Sequence, residues 1–374
     1  MLLKQVVSPR RARPLLRKAY RSVPLVSAIT ILILLAHYFQ PALYEFIEYA
    51  RQTHPWSAQR QIEQPFTPTK QELACLHGSA KSSNTSNPHD IPNVVHFLYI
   101  FKEPLAQARG IQFDFVNYLA VRSAKISLRP DEIQLHYAIL SSSGNSVNSK
   151  LHPVTNPWIR RLRADVRLVE HKIENPYGES MHRIEDLMRL QILLDNGGIF
   201  LDADSFALRP FASLLHPAGS HDAVLGYEGG NRYGMRNAVM VARRNSTFIN
   251  DWLEEYIHGP VRLQSPSKSV MLPKELAAKK PGALCALSPG AFFWPTWTWR
   301  HVDWMHEELG EEETEHWERE IERNGGALFH GQLAYHAWSQ AARERYLWRL
   351  NPEVVRRKNT RFNLLVRRFM EQDV

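Results

Sequence analysis

The chain has 374 residues, of which 44% are apolar and 22% charged, ordinary values for a globular protein with a hydrophobic core. Its formal net charge is +8, but the Lys and Arg excess is concentrated in residues 1–22, which contain no acidic residue. The remainder is nearly neutral. This distribution excludes an extended basic surface for a phosphate backbone, so nucleic acid is not an expected partner.

An uncharged run rich in Leu and Ile, residues 23–39, follows the basic end. A bilayer is spanned by about 20 apolar residues, with about 17 as the lower limit. The positive charge before the run and Glu45 and Glu48 after it predict a single-pass transmembrane signal anchor. Residues 1–22 are then a cytoplasmic basic tail, and the rest of the chain is lumenal in the Golgi or ER. A cleaved signal peptide is the alternative, although the run ends in a poor cleavage site.

Residues 40–90 are rich in Pro and contain the polar run 79–87, which predicts an extended or loosely ordered stem. A small packed subdomain around Tyr44–Trp56 is the alternative. Cys75 and Cys285 allow one disulfide in an oxidising lumen, and two unpaired buried thiols are equally consistent with the sequence. Asn84 and Asn245 begin Asn-x-Ser/Thr triplets and are glycosylation acceptors if the chain is lumenal.

Residues 91–345 show the pattern of a globular domain. Apolar or alternating runs predict strands at 94–100, 133–139, within 163–173 and at 199–201. Helical spacing predicts helices over 113–127 and 182–194. This order predicts an α/β fold with a mainly parallel sheet and helices on its faces.

Two charged segments follow near the C-terminus. Residues 307–322 are dense in glutamate, which predicts a helix with a solvated face. We interpret residues 346–374 as a basic C-terminal tail, frayed and solvated, with contact to an anionic membrane surface as the alternative.

The stretch 182–211 contains the residues most informative about chemistry. Asp186 and Arg189 are three residues apart, so they emerge on one side of the predicted helix. Gly197 and Gly198 favour a tight reversal into strand 199–201, and Asp202 and Asp204 follow where that strand ends. Ligands of open α/β sheets bind at this edge. Adjacent carboxylates there become favourable when a divalent cation lies between them and a diphosphate.

This block resembles the sugar-binding DxD region of glycosyltransferase family 32. The family form is Asp-x-x-Arg, then Leu, then Gly-Gly-x-Tyr-x-Asp-x-Asp, and the matching residues are Asp186, Arg189, Leu193, Gly197, Gly198, Phe200, Asp202 and Asp204. The resemblance implies a GT-A fold, Mn²⁺ or Mg²⁺, a UDP- or GDP-sugar donor and a glycan or glycolipid acceptor. It also implies transfer with retention to give an α-linkage. Phe200 replaces the usual tyrosine, which bears on donor preference.

The same resemblance assigns roles to individual residues. Asp204 would coordinate the metal, with Asp202 on the metal or the ribose. Asp186 and Arg189 would hold hydroxyls of the donor sugar. The nucleotide site would be lined by the strand at 94–100, which contains His96, and by Gly198 and Phe200, which lie just before the motif.

Further candidate residues lie outside that block. His336 is similar to a C-terminal histidine that completes the metal site in such enzymes, and His330 is its rival. Glu228 and Asn237 flank a Gly-rich loop that, by resemblance, faces the sugar opposite the leaving group. A purely structural role remains open for each of them. Retention through an ion pair or through a covalent intermediate also remains open.

The aromatic run 292–299 suits either an acceptor surface or interior packing.

Two other functional classes fit part of the pattern. Residues 199–205 also resemble the first motif of haloacid-dehalogenase-type phosphatases, in which Asp202 would attack phosphorus. The Gly-Asp or Asp-Asp pair that such enzymes need downstream for a metal is not found after Asp204. A lumenal protein that binds a nucleotide-sugar without turnover is the second alternative.

Overall fold

The computed structural model describes residues 27–35, 37–40, 43, 47, 67–77, 91–103, 111–141, 145–146, 151–174, 179–216, 221–230, 232–258 and 267–372. It forms two units, residues 1–50 and residues 51–374, which are described separately.

In the first unit, residues 27–35 and 37–40 are helical, and apolar side chains such as Leu32 and Tyr38 are exposed. Within the described ranges, no helix combines the length and hydrophobicity needed to cross a membrane. The basic segment 1–22 lies outside the described residues, as do parts of the predicted anchor 23–39 and most of the predicted stem. These assignments stay predictions.

The second unit is built on a central β-sheet. Its strands are β1 (Val94–Lys102), β2 (Glu132–Leu140), β3 (Arg167–Glu170), β4 (Gly198–Leu201), β6 (Ala223–Glu228), β7 (Gly234–Ala242) and β8 (Leu284–Leu287). A separate pair consists of β5 (Ser205–Ala207) and β9 (Ala334–His336).

Helices connect and cover these strands. Before and between β1 and β6 they are α1 (Lys70–His77), α2 (Phe115–Leu128), α3 (Pro157–Leu162), α4 (Met181–Asn196) and α5 (Ala212–Leu215). After β7 come α6 (Thr247–His258), α7 (Ser267–Lys279), α8 (Pro289–Phe292), α9 (Trp299–His306) and α10 (Glu311–Arg323). The last are α11 (Ser339–Ala342), α12 (Pro352–Arg357) and α13 (Arg361–Val366).

The described strands of the main sheet lie in the order β3-β2-β1-β4-β7-β6-β8. Neighbours from β3 to β4 run parallel, β7 is antiparallel to both β4 and β6, and β8 is parallel to β6. The predicted α/β class with a mainly parallel sheet is therefore confirmed, and the antiparallel β7 makes the sheet mixed. The predicted strands and helices up to residue 201 are also confirmed, with bounds shifted by a few residues.

Apolar side chains cover both faces of the sheet. Along β4, Ile199 and Leu201 pack into one core cluster and Phe200 into the other, as expected for alternating side chains. The first cluster contains α2, the aromatic segment 292–294 and the C-terminal helices. The second contains α4, α6 and α7. Burial on both faces explains the continuous apolar composition of β4.

A row of three histidines crosses β1, β2 and the end of β3. His96 Nε2 lies 2.9 Å from the Gly197 carbonyl oxygen, so this nitrogen donates its proton there. His96 Nδ1 is 3.0 Å from His136 Nε2, and His136 Nδ1 is 2.7 Å from His171 Nε2. Burial lowers the pKa of His96 to about 4 and that of His136 to about 3, and it also lowers the pKa of His171. The row is therefore neutral in the folded chain at pH 7.

Part of the predicted stem belongs to the folded domain. Helix α1 is attached to β8 by a Cys75–Cys285 disulfide, which resolves the question that the sequence left open. Glu72, 4% exposed, accepts a hydrogen bond of 2.9 Å from Arg232 in the loop between β6 and β7. The extended-stem prediction is therefore wrong for residues 70–77.

The interpretation of residues 346–374 as a frayed, solvated tail is also wrong. Helix α13 buries Phe362, Leu365 and Val366, and Phe369 is fully buried just after it. The apolar pattern of this segment is hard to see in the sequence, because Arg residues are interspersed with the buried apolar residues. These Arg side chains lie at the edge of the core and donate to backbone carbonyls, as Arg367 does to Val355.

Cys75→Ala should lower the thermal unfolding temperature of the chain markedly. The disulfide joins residues 210 positions apart. Cross-linking so long a loop stabilises a fold by about 5 kcal/mol in the chain-entropy account. Differential scanning calorimetry measures the change, and a thiol reductant should lower the transition of the parent chain but not that of the variant. Equal unfolding temperatures for the two chains would contradict this expectation.

Acid should destabilise the domain between pH 6.5 and about 4. Unfolded histidines bind protons with a pKa near 6.5, whereas folded His96 and His136 bind them only near pH 4 and below. The unfolded chain thus binds more protons in this window, so the free energy of unfolding falls as pH falls. His136→Gln should reduce that slope by about 1 kcal/mol per pH unit in denaturant titrations.

The matched control for this titration is His182→Gln, because His182 is exposed on α4. Its slope should equal that of the parent chain. An unchanged slope for His136→Gln would show that the buried histidines do not drive acid unfolding.

Candidate functional site

The Asp202-Ala203-Asp204 motif lies at the carboxyl end of β4, near the middle of the sheet. Strand β4 pairs in parallel with β1 on one side and antiparallel with β7 on the other. The Asp202 amide donates to the Ala238 carbonyl at 2.8 Å, and the Ser205 amide donates to the Asp202 carbonyl at 2.8 Å. These bonds hold the motif in a turn that ends the strand.

Two glycines set the approach to that turn. Gly197 has φ +67° and Gly198 has φ +106°. Residues that carry a Cβ atom rarely adopt these backbone angles. A Cβ on Gly197 would lie 2.6 Å from the Arg244 amide nitrogen, and one on Gly198 would lie 2.4 Å from the Val94 carbonyl oxygen. Both positions therefore need glycine so that α4 can end directly against the sheet.

Pairing of β5 with β9 brings His336 to the motif. Ser205, the residue after the motif, is the cross-strand partner of His336. His336 Nε2 lies 3.1 Å from Asp204 Oδ1 and 3.9 Å from Asp202 Oδ2. One ligand atom from each of these residues lies within 4.8 Å of the others. The rival His330 is exposed and outside this group.

The carboxylate of Asp204 is held by more than His336. Its Oδ2 accepts a hydrogen bond of 2.8 Å from the Ser339 amide, and the Asp204 carbonyl accepts from the Ala337 amide at 2.9 Å. Burial alone would raise the Asp204 pKa, but His336 and Ser339 outweigh burial and lower it below its usual range. The group is therefore an anion at any physiological pH.

Asp202 is held from the other side by Arg189. Arg189 Nη2 lies 2.9 Å from Asp202 Oδ1, and its Nη1 lies 2.8 Å from Asp186 Oδ1. Burial raises the pKa of Asp202 despite the guanidinium. The predicted pair on one side of α4 thus meets the motif, with Arg189 forming a bridge between two carboxylates.

Asp186 is a buried hydrogen-bond hub. Besides Arg189, it accepts from Asn237 Nδ2 at 2.7 Å and from the Tyr256 hydroxyl at 2.7 Å. Asn237 was predicted for this site and comes from β7. Tyr256 comes from α6 and was not predicted, because nothing in its local pattern distinguishes it from other apolar positions of that helix.

The site carries an excess of negative charge. Glu185, on α4, interacts electrostatically with Arg189, Asp202 and Asp186, and burial raises its pKa. Tyr99, near the end of β1, has its pKa raised to about 12 by burial and by Asp114, with smaller effects from Glu185 and Asp204. Glu185 was not predicted from the sequence, whereas Tyr99 belongs to the strand at 94–100 that was predicted to line the nucleotide site.

Asn117 supports the motif from α2. Its side-chain amide donates to the Ala203 carbonyl at 2.8 Å, between the two aspartates, while its oxygen accepts from the Asp114 amide at the start of the helix. The short Asn117 side chain thus connects the first turn of α2 with the motif. Asn117 was not predicted for the site, because the same helix contains other polar residues and nothing in its local sequence distinguishes Asn117 from them.

Glu228 lies at the end of β6 and is 1% exposed. Its carboxylate is paired with Arg236, and it accepts a hydrogen bond of 2.8 Å from the Trp297 indole. The Arg236 guanidinium lies 5.0 Å from the Trp338 ring centre, and that ring lies 4.4 Å from the His336 ring. Glu228 is therefore connected to the metal-ligating candidates through side-chain contacts.

The three residues predicted to line the nucleotide site are interior residues. His96 and Phe200 are 0% exposed, and Gly198 is enclosed by Val94 and His96. The Phe200 ring lies beneath Arg189, with 5.9 Å from the guanidinium carbon to the ring centre. Direct contact with a nucleotide does not fit this burial, so these residues act as support for the motif.

The donor set of Asp202, Asp204 and His336 fits a divalent metal. Carboxylate oxygens and an imidazole nitrogen suit Mn²⁺, and oxygen ligands also suit Mg²⁺. Four carboxylates, Glu185, Asp186, Asp202 and Asp204, surround one guanidinium, so a bound cation would offset repulsion that Arg189 alone does not. His336 Nδ1 is buried and has no hydrogen-bond partner in the described part of the chain.

No protein-family model matches the chain. Solved structures of glycosyltransferases align with it at low similarity. PaToxG glycosyltransferase aligns with a TM-score of 0.38 and 16% identity, over 52% of this chain and 71% of its own. The glycosyltransferase GlyE of Streptococcus pneumoniae TIGR4 aligns with a TM-score of 0.40 and 10% identity, over 75% of this chain and 61% of its own.

A curated relative is considerably closer in sequence. Glucan organizing enzyme 1 of Cryptococcus neoformans var. grubii serotype A is 31% identical over 294 residues, which span 75% of this chain and 71% of that protein. The aligned part therefore includes most of both chains. At this identity and coverage, the chain belongs to the enzyme family of glucan organizing enzyme 1.

Proposed function

We propose that the chain is a metal-dependent glycosyltransferase of GT-A type that moves a sugar from a UDP- or GDP-sugar to an acceptor with retention. The observation that carries the proposal is the convergence of Asp202, Asp204 and His336 at the carboxyl end of β4. Arg189 and Asp186 lie directly beside them. Family 32 is the group whose motif this arrangement resembles.

Asp202, Asp204 and His336 would hold the metal. A bound Mn²⁺ or Mg²⁺ supplies positive charge to the diphosphate leaving group. Arg189 adds a fixed positive charge next to Asp202. Fixed charges in a water-poor site stabilise developing negative charge more strongly than they would in water.

The reaction breaks the bond between the anomeric carbon and a diphosphate oxygen, and the electron pair leaves with the diphosphate. An acceptor hydroxyl oxygen forms the new bond to that carbon, and its proton passes to the oxygen of the departing diphosphate. Glu228 is fully buried and held by Arg236 and Trp297, so it is poorly placed to attack the sugar itself. This supports an ion-pair route with Glu228 as an electrostatic support.

We propose that the acceptor is a glycan. Among glycans we favour a glucan, because the relative is named a glucan organizing enzyme. Trp297 is half-buried beside Glu228, and Trp299, two residues further on, is 42% exposed. Indole faces pack well against the apolar faces of sugar rings. A lumenal location behind an N-terminal anchor remains part of this proposal.

The phosphatase alternative receives less support from the geometry. It requires Asp202 as a free nucleophile, whereas Asp202 Oδ1 is paired with Arg189 and Oδ2 faces His336. A non-catalytic binding protein differs from the proposed enzyme in turnover alone, so an activity assay separates the two.

The full chain, purified in detergent, should release nucleoside diphosphate from one class of nucleotide-sugar when Mn²⁺ and a glucan oligosaccharide are present. Asp204→Asn should reduce this rate by about 100-fold or more, because a charged ligand of the metal is lost. Mass spectrometry of the oligosaccharide identifies the product, and its anomeric NMR signal reports the linkage.

Asp222→Asn is the matched control, because Asp222 accepts bonds from Ser246 and Thr247 at the start of α6 and is not one of the site carboxylates. It should keep the parent rate. Release of inorganic phosphate in place of sugar transfer would favour the phosphatase, and nucleotide binding without product would favour the binding protein. Either result would overturn the proposal.

A further inference from the structure

We propose that Tyr256 is a positioning residue that sets the orientation of the metal-site carboxylate of Asp202, acting through Asp186 and Arg189. The inference rests on the proposed function, because it concerns the same metal site. Tyr256 is 2% exposed and so has no surface with which to contact a substrate. Its influence on the site must pass through the residues that it touches.

Tyr256 is held through its hydroxyl, its ring face and its backbone carbonyl. The hydroxyl donates to Asp186 Oδ2 at 2.7 Å. Arg183 Nη1 donates to the Tyr256 carbonyl at 3.2 Å, and the Arg183 guanidinium lies 5.3 Å from the ring centre. Arg183 and Asp186 both belong to α4, so the tyrosine fixes α6 against the helix that carries the site residues.

Donors from three different elements determine the plane of the Asp186 carboxylate. Oδ1 accepts from Arg189 of α4 and from Asn237 of β7, and Oδ2 accepts from Tyr256 of α6. A carboxylate has about four acceptor positions, so one remains for another donor. Asp186 therefore serves mainly to orient its neighbours, and Tyr256 alone among these three donors constrains Oδ2.

Arg189 transmits that orientation to Asp202. Its guanidinium is a rigid planar fork, so fixing Nη1 against Asp186 also fixes the direction of Nη2. Nη2 lies 2.9 Å from Asp202 Oδ1, which leaves Oδ2 turned toward His336 Nε2 at 3.9 Å. Loss of the Tyr256 hydroxyl removes one hydrogen-bond donor from the buried Asp186 Oδ2. The Asp186 carboxylate and the Arg189 guanidinium can then rotate away from their present orientation toward Asp202.

The experiment compares Mn²⁺ affinity, with Mn²⁺ alone as the probe, by electron paramagnetic resonance of the free ion. The parent full chain, Tyr256→Phe and Tyr118→Phe are titrated in parallel. Tyr256→Phe should weaken Mn²⁺ binding about 10-fold, the effect typical of losing a group that orients a metal ligand.

Tyr118→Phe is the control because it removes the same kind of bond elsewhere. The Tyr118 hydroxyl donates to Glu371 at 2.7 Å, its ring is fully buried, and it packs in the core cluster on the opposite face of the sheet. Its Mn²⁺ affinity should stay within about 2-fold of the parent value, since no metal ligand is oriented by that bond. Thermal unfolding shows that both variants are folded.

A double-mutant cycle tests whether Tyr256 acts through Asp186. Asp186→Asn should weaken Mn²⁺ binding, and adding Tyr256→Phe to it should have no further effect. Equal affinities for the Tyr256→Phe and Tyr118→Phe variants, or additive losses in the cycle, would overturn this inference while leaving the metal site intact. A parent chain that binds no Mn²⁺ would overturn the proposed function and the inference together.

Discussion

The pairing of β5 with β9 is the contact on which the candidate site depends. The proposed metal-ligand set combines Asp202 and Asp204, which lie in one turn, with His336 far along the chain. The antiparallel pair Ser205–His336 sets their separation through backbone hydrogen bonds. The Ala337 and Ser339 amides extend that pairing onto Asp204 itself, so the histidine and the carboxylate are held by the same short stretch. A ligand set built this way is rigid before any cation arrives.

Electrostatic repulsion is the cost of that arrangement. Several carboxylates are brought together at a partly buried edge of the sheet, and burial of charge is unfavourable unless it is paired. Arg189 offsets part of the repulsion by bridging Asp186 and Asp202. Asn237 and Tyr256 donate hydrogen bonds to the Asp186 oxygens but neutralise none of the charge. The remaining negative potential would attract a divalent cation, and the bound cation would in turn attract the diphosphate of a donor. The clustered carboxylates therefore account both for the negative potential of the site and for its proposed affinity for a divalent cation.

The sequence was sufficient for the parts of the fold that local patterns determine. The helix at 181–196, the two glycines, the short strand and the motif follow one another with their own signals, so their order and the carboxylate pair could be predicted. His336 could be predicted only by resemblance. Tyr256 and Glu185 could not be found, because their roles arise from helix packing that brings α6 and the motif onto α4. The packing of α1 and of the C-terminal helices could not be predicted either. Their polar composition concealed the apolar residues that are buried and, in α1, the cysteine that forms the disulfide.

The most direct test of the central claim is a crystal structure of the chain soaked with Mn²⁺, measured at the manganese absorption edge. The account predicts an anomalous peak with Asp202, Asp204 and His336 at ligand distance, in place of the present contacts of 3.1 and 3.9 Å between His336 Nε2 and the two carboxylates. Asp202 should keep its bond to Arg189 through Oδ1. An anomalous peak elsewhere, or none at this group under saturating Mn²⁺, would contradict the account.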